Sequence, residues 1–413
     1  MSQLKKWLLL GLVSLFAVML AACGGESSSA PAPAPSDSNT EKETPDSNEA
    51  EAPKEAKVIN IGYSGPLSGP AAFYGENTLS GTKMAVDEIN AAGGFEIDGQ
   101  LYTLNLVQLD DMYLPNETGT NARRLVQEHN TPVVFIPHSG GIFAAQVFNE
   151  QEEFIIAAYT SEPAITEQGN ELTVRIPPRY DSYMEPFSKY QMERFGNKIA
   201  LLPTASQYGK DWTDTLVPAW EGLGGEVVYK GQIDFSKDTD FFTIVTNALS
   251  NDPDVLFIGG PSEPTALIAK QARELGFEGG FLIMDQAKLD EMALVLGGTE
   301  MLEGSVGVLP LSNSEYPGTP AFLKKYEELY GKVPGSEAGF NYVATYIFVE
   351  AMKNAGSAED VRAIRANMQA ALDSLADEHK VYSIDKIEDN GGFESELRMA
   401  VVEEGTIVEV VPE

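Results

Sequence analysis

The chain has 413 residues, 43% of them hydrophobic, enough for two domains with substantial cores and too apolar for a disordered polymer. Its formal charge of -34 excludes a nucleic-acid partner, which would need a basic face to displace counterions.

Lys5 and Lys6 precede an apolar run over 7–20, followed by Ala21, Ala22 and Cys23. A basic start, an apolar core too short to span a bilayer and small residues at a cut describe a secretory signal over 1–22. Cys23 is the single cysteine, so no intramolecular disulfide is possible. The run Leu20-Ala21-Ala22-Cys23 resembles the bacterial lipobox. That resemblance implies a diacylated Cys23, and hence an exported chain anchored to the membrane rather than spanning it, facing the periplasm or the cell exterior. Residues 23–56, rich in Pro, Ser, Ala and Glu, bury too little apolar surface to fold. They read as a tether with a reach of roughly 30 Å if flexible.

At Val58 the chain becomes a strand. Val58, Ile59 and Ile61 run into Gly62, Gly65-Pro66 and Gly69-Pro70, and a helix with Leu79, Val86 and Ile89 on one face ends before Gly93-Gly94. A strand, a Gly-rich loop and a helix make half of a βαβ unit, and ligands of such sheets meet the loops at the strand ends. Residues 102–109 form a second strand ending in Asp110-Asp111, a pair that reads as structural support for a nearby loop. After a helix from Glu117, the strand 133–136 stops at Pro137-His138-Ser139-Gly140-Gly141. A helix over 144–153 and the strand 154–158 stop at Tyr159-Thr160-Ser161. Three strands thus end in loops of small, hydroxyl or aromatic residues.

From about Arg179 a second series begins: a strand at 198–202, the loop Ser206-Gln207-Tyr208-Gly209-Lys210, a helix over 211–223, and strands at 227–229, 255–258 and 281–284, the last ending at Asp285-Gln286. Alternation of this length predicts a second parallel sheet covered by helices on both faces. Helices over 320–330, 339–355 and 361–375 follow and are expected to return to the first lobe. Strands near 399–402 and 407–411 close as a hairpin through Glu403-Glu404-Gly405.

The combination of Ile61-Gly62, Gly65-Pro66-Leu67-Ser68-Gly69, Tyr74-Gly75, Gly81, Asn90, Gly93-Gly94, Asp110-Asp111, Gln207-Tyr208-Gly209 and Gly259-Gly260 resembles the type I periplasmic binding proteins. More narrowly, it is similar to the extracellular receptors of branched-chain amino acid ABC transporters. The resemblance implies an α/β fold of two Rossmann-like lobes with parallel sheets joined by a three-crossover hinge. Lobe one would hold residues 57–178 and 311–379, and lobe two 179–310 and 380–413. It implies a small-molecule ligand captured by hinge closure, an ABC transporter permease as partner, a monomer, and no cofactor.

Carried over by position, Tyr74 is the aromatic wall of the first lobe and Tyr208 that of the second. Ser139 and Gly140 fall in the loop that holds an α-carboxylate, and Tyr159, Thr160 and Ser161 in the next loop, where a backbone carbonyl meets an ammonium and the Ser161 hydroxyl the carboxylate. Asp285 matches the acid that pairs with the α-ammonium, although Asp is also a favoured helix cap. Two positions depart from the pattern. Gly140 replaces a serine, leaving Ser139 or the N–H groups of Gly140 and Gly141 for the carboxylate, and Pro261 replaces an aromatic. His138 is then an alternative donor suited to a larger acid or an amide. A branched-chain-like amino acid and a different small ligand (an amide, urea-like molecule, short carboxylate or aromatic acid) both remain open, as does a sensory role in place of transport. Catalysis is not expected: the three histidines stand far apart, and no nucleophile, metal or phosphate-loop motif is present.

Overall fold

The computed structural model describes residues 55–235 and 237–411. The expected leader, Cys23 and the tether up to residue 54 lie outside the described residues. The first sheet grows from β1 (Lys57–Gly65), α1 (Ala72–Ala91), β2 (Phe95–Ile97), β3 (Gln100–Asp110), α2 (Pro115–His129), β4 (Val133–Ile136), α3 (Ser139–Gln146), β5 (Ile155–Ala158), the single turn α4 (Ala164–Glu167) and β6 (Thr173–Arg175). Its strand order is β2-β3-β1-β4-β5-β6, parallel except at the β2–β3 edge. Every residue of β4 and β5 is buried, as expected of strands covered on both faces. Because β1 pairs with β3 on one side and β4 on the other, the connections leave in opposite directions and the loops after β1 and β4 open a crevice.

The second lobe repeats the device with α5 (Met184–Phe195), β7 (Lys198–Pro203), α6 (Gln207–Gly222), β8 (Glu226–Lys230), α7 (Phe242–Leu249), β9 (Val255–Gly259), α8 (Ser262–Glu274), β10 (Gly280–Ile283), α9 (Leu289–Leu296) and β11 (Ser305–Val308). The chain then builds α10 (Thr319–Tyr330), α11 (Ser336–Ala355), α12 (Val361–Ala366), α13 (Met368–Asp373), the small hairpin β12 (Lys386–Ile387) and β13 (Phe393–Glu394), and finally β14 (Met399–Glu403) and β15 (Thr406–Val410). The second sheet runs β15-β14-β11-β10-β9-β7-β8, with its reversal at β7 and its last two strands antiparallel.

The helical block does return to the first lobe. Helix α11 is buried on nearly all sides and packs along α1, and Phe340, Ile347 and Phe348 share one core with Ile59, Ile61 and Val86. The two helices approach so closely that a Cβ on Gly81 would lie 2.0 Å from the carbonyl oxygen of Ala338. Val381, Ile387 and Phe393 belong to the same core, so the last crossing to the second sheet comes after Phe393, later than the boundary at 380.

Two helices begin earlier than their sequence suggested. Helix α3 starts at Ser139, where the Gly pair reads as a stop, because the ring of His138 caps it and accepts the N–H of Gly141 at 3.0 Å. Helix α6 starts at Gln207 rather than 211, capped by Ser206 Oγ, which accepts the N–H of Gly209 at 3.2 Å.

Candidate functional site

The carboxyl ends of the strands bring the loops after β4, β5, β7 and β10 to one cleft between the lobes. Eight of the expected residues line a cavity there: Tyr74, His138, Ser139, Tyr159, Thr160, Ser161, Tyr208 and Asp285. Gly140 lies in the outer part of the cleft, while Gly141 is not among the lining residues of either space.

On the first-lobe side, Tyr74 sits in the first turn of α1 and its hydroxyl donates to the carbonyl of Pro137 at 2.7 Å, which fixes its ring 6.3 Å from that of Tyr159. Burial pushes the Tyr74 phenol well above its ordinary pKa, so it stays a donor. The hydroxyls of Ser139 and Thr160 lie 2.8 Å apart and hydrogen-bond to each other. Beneath them Asp111 is wholly buried, and its oxygens accept the hydroxyls of Ser64 (3.1 Å) and Thr118 (2.8 Å) and the N–H of Tyr113 (2.9 Å).

His138, expected as an alternative ligand donor, lines the cleft with its ring engaged inside the first lobe. Its Nδ1 accepts from Gly141, so Nε2 carries the proton and faces Asp111 Oδ2 at 3.1 Å, while Tyr113 stacks on the ring at 4.7 Å. Both nitrogens are spent inside the first lobe. The N–H of Gly141 is spent with them, and a Cβ at that position would lie 2.7 Å from the His138 ring. Gly140 has its own reason: a Cβ there would lie 2.8 Å from Cγ of Pro115, so a serine in its place would strike the proline that opens α2.

The second lobe supplies the charge. Asp285 follows β10 and precedes α9, whose N-terminal boundary residue is Lys288, so Asp285 is not that helix's cap. Its Oδ1 accepts from the Tyr208 hydroxyl and from Trp212 Nε1 at 3.0 Å, and its Oδ2 accepts from Ser161 across the cleft. Burial, reinforced by the Asp285 charge, holds the Tyr208 phenol well above its usual range and therefore protonated. Trp212 is rigidly placed, fully buried and stacked on Phe257 at 5.1 Å. Next to Asp285, Gln286 Nε2 donates to the Tyr113 hydroxyl of the first lobe at 2.9 Å. Lys288 is buried, donates to the carbonyls of Asp285 and Gln286, and faces Glu337 of α11 at 3.9 Å.

Sequence reasoning missed Trp212, Tyr113, Gln286 and Lys288. Trp212 carried a usable signal, since it stands four residues after Tyr208 on one helix face. The aromatic expected at Pro261 comes from elsewhere: Phe235 packs so close over Gly260 that a Cβ there would lie 2.1 Å from its ring, and both Phe235 and Pro261 line the outer cleft. The arrangement amounts to a carboxylate between aromatic faces, with hydroxyls opposite, at a seam between two bodies. Among the described residues no cluster of His, Cys, Asp and Glu is placed to hold a metal ion.

Comparison with known proteins agrees with this architecture. The periplasmic binding protein profile matches residues 58–406. A Leu/Ile/Val-binding protein of Rhizobium johnstonii is 28% identical over 319 residues, 76% of this chain and 84% of its own length. Among solved structures, the branched-chain amino acid transporter substrate-binding protein LivJ of Streptococcus pneumoniae, in complex with isoleucine, superposes with a TM-score of 0.73 at 22% identity, over 86% of this chain and 100% of that one. An ABC transporter solute-binding protein of R. palustris in complex with benzoate gives 0.74 at 18% identity, over 86% and 96%. One fold thus serves unlike ligands, and the chain belongs to the periplasmic binding protein family, solute receptors rather than enzymes.

Proposed function

We propose that this protein is a lipid-anchored extracytoplasmic receptor that captures an α-amino acid between its lobes and delivers it to the permease of an ABC importer. The observation that carries this reading is Asp285, a carboxylate held by Tyr208 and Trp212 and met across the cleft by Ser161. A half-buried carboxylate whose two oxygens accept only from neutral donors, with the Lys288 ammonium turned to the backbone carbonyls of Asp285 and Gln286, is suited to an ammonium, which compensates its charge as water leaves. Tyr74 and Tyr208 flank it as apolar faces, and the paired hydroxyls of Ser139 and Thr160 leave one proton to donate to a carboxylate. The name of the Rhizobium relative supports an amino-acid ligand. The engagement of both His138 nitrogens within the first lobe supports an amino acid over a larger acid or amide that would need a donor there.

Closure is a hinge motion, and ligand contacts available only in the closed form shift the population toward it. Lobes of 57–178 with 311–379 and of 179–310 with 380–413 describe that motion once the last crossing is moved past Phe393. The anchor rests on the Leu20-Ala21-Ala22-Cys23 run. The test is a thermal-shift and calorimetric screen of the detergent-solubilised protein against amino acids and small acids, since a ligand of the native state raises the melting temperature. Asp285→Asn should weaken an amino-acid ligand by more than tenfold, about 1.4 kcal/mol, with the fold retained; unchanged affinity removes Asp285 from the site. Cys23→Ala should release the protein from membranes, and continued retention would refute lipidation.

A further inference from the structure

The cleft does not end at Asp285. Tyr159, Pro177, Asp285 and Lys288 line a second cavity as well, which runs under the segments crossing between the lobes and includes Pro178, Leu309 and Ser395. Open mouths and solvent included, the two spaces hold about 350 and 560 Å³. They share four residues, so the two spaces adjoin at Asp285 and Lys288.

The hinge-side space has its own chemistry. Phe340 and Tyr382 stack in parallel with centroids 3.9 Å apart, Tyr159 tilts against Phe340 at 6.3 Å, and Tyr316 lies 6.3 Å from Tyr382. Ser314 lines this space with a buried hydroxyl that has no hydrogen-bond partner among the described residues. The Lys288 ammonium sits where the two cavities meet. Of the lining side chains only Val308 and Leu309 are branched aliphatics. A branched aliphatic tail would leave Ser314 buried and unsatisfied, whereas an aromatic ring gains tilted and stacked contacts and a polar tip can pair with Ser314.

We propose that this hinge-side cavity is the side-chain end of the ligand site, and that it selects an aromatic side chain with a polar tip, such as a phenol, over a branched aliphatic one. The proposal rests on the amino-acid reading above, with the head group at Asp285 and the tail under the hinge.

The test is calorimetric titration of the detergent-solubilised protein with L-tyrosine, L-phenylalanine, L-leucine, L-alanine and 4-hydroxyphenylacetate, repeated on Ser314→Leu, which fills the cavity, and on Ser314→Ala. Tyrosine is expected to bind at least tenfold tighter than leucine. Ser314→Leu should weaken tyrosine at least tenfold more than it weakens alanine, and Ser314→Ala should erase most of the preference of tyrosine over phenylalanine. Where Ser314→Leu fails to fold, as its melting curve would show, Ser314→Ala carries the test alone. Leucine binding as tightly as tyrosine, a tyrosine preference indifferent to both variants, or no binding by any of the five compounds overturns the proposal. Should only 4-hydroxyphenylacetate bind, and lose affinity in Ser314→Leu, the amino-acid reading falls while the cavity keeps its role.

Discussion

The two walls of the cleft are built differently. On the first-lobe wall, Tyr74 is tied to Pro137, and His138 to Asp111 and Gly141, so these groups keep their partners whether or not the lobes meet. On the second-lobe wall, Asp285 takes Ser161, Gln286 takes Tyr113 and Lys288 faces Glu337, all across the cleft. The first wall is a preorganised surface, and the second carries the groups whose partners change on closure. Substitutions in the first wall should therefore cost stability, and those in the second should cost closure and affinity.

The largest effect should come from Asp111→Ala. It removes one buried carboxylate and strands the donors of Ser64, Thr118, His138 and Tyr113 together. A loss of roughly 3–5 kcal/mol in urea unfolding is expected, the magnitude for breaking a buried charged network from one side. A midpoint close to the wild type would break the distinction between the walls.

A smaller effect singles out Glu162, a first-lobe carboxylate beside Ser161 with no such preorganised charge partner. Burial pushes it up to about 7, opposed by the N–H of Ala164 and reinforced by the Asp211 charge. The folded chain thus binds a proton that the unfolded chain, titrating near 4.5, has already lost. Stability from this group is present below the unfolded value and declines as pH rises toward 7, flattening above it. Melting temperatures at pH 5.5 and 8 should therefore differ less in Glu162→Gln than in the wild type, and the variant should gain stability at pH 8. Equal differences in both proteins would assign the titration elsewhere, for example to Asp290, which burial pushes up to about 6.

Much of this was legible in the chain because period and punctuation carry it. Strands fully covered by helices read as unbroken apolar runs such as Val133-Val134-Phe135-Ile136, and the loops at their ends are where a doubly wound sheet puts its ligand. The sequence could not show which polar groups were already occupied. His138 and Gly141 looked available because a helix cap made by an imidazole ring leaves no spacing signature, and Gly-Gly reads as a stop. Gly140 read as a departure from the family's pattern, yet a Cβ there would lie 2.8 Å from Cγ of Pro115, 25 positions away in sequence. Trp212 and Lys288 were passed over for the opposite reason: each reads as an ordinary core or surface residue of a helix until the fold brings it to Asp285.

The finest test of the comparison is Gln286→Ala. Gln286 crosses the cleft to Tyr113, whose phenol burial raises to about 12, with this hydrogen bond opposing the rise and the Asp111 charge adding to it, so the tyrosine accepts the amide as a neutral hydroxyl. The bond exists only when the lobes meet, and one neutral hydrogen bond contributes about 1 kcal/mol net. Ligand affinity should then fall roughly fivefold, while the melting temperature of the unliganded protein stays nearly unchanged, since neither core loses a contact. Small-angle scattering without ligand should show a slightly more open average shape. If the variant instead lowers the unliganded melting temperature and leaves affinity alone, Gln286 is part of the framework, and the second wall is as preorganised as the first.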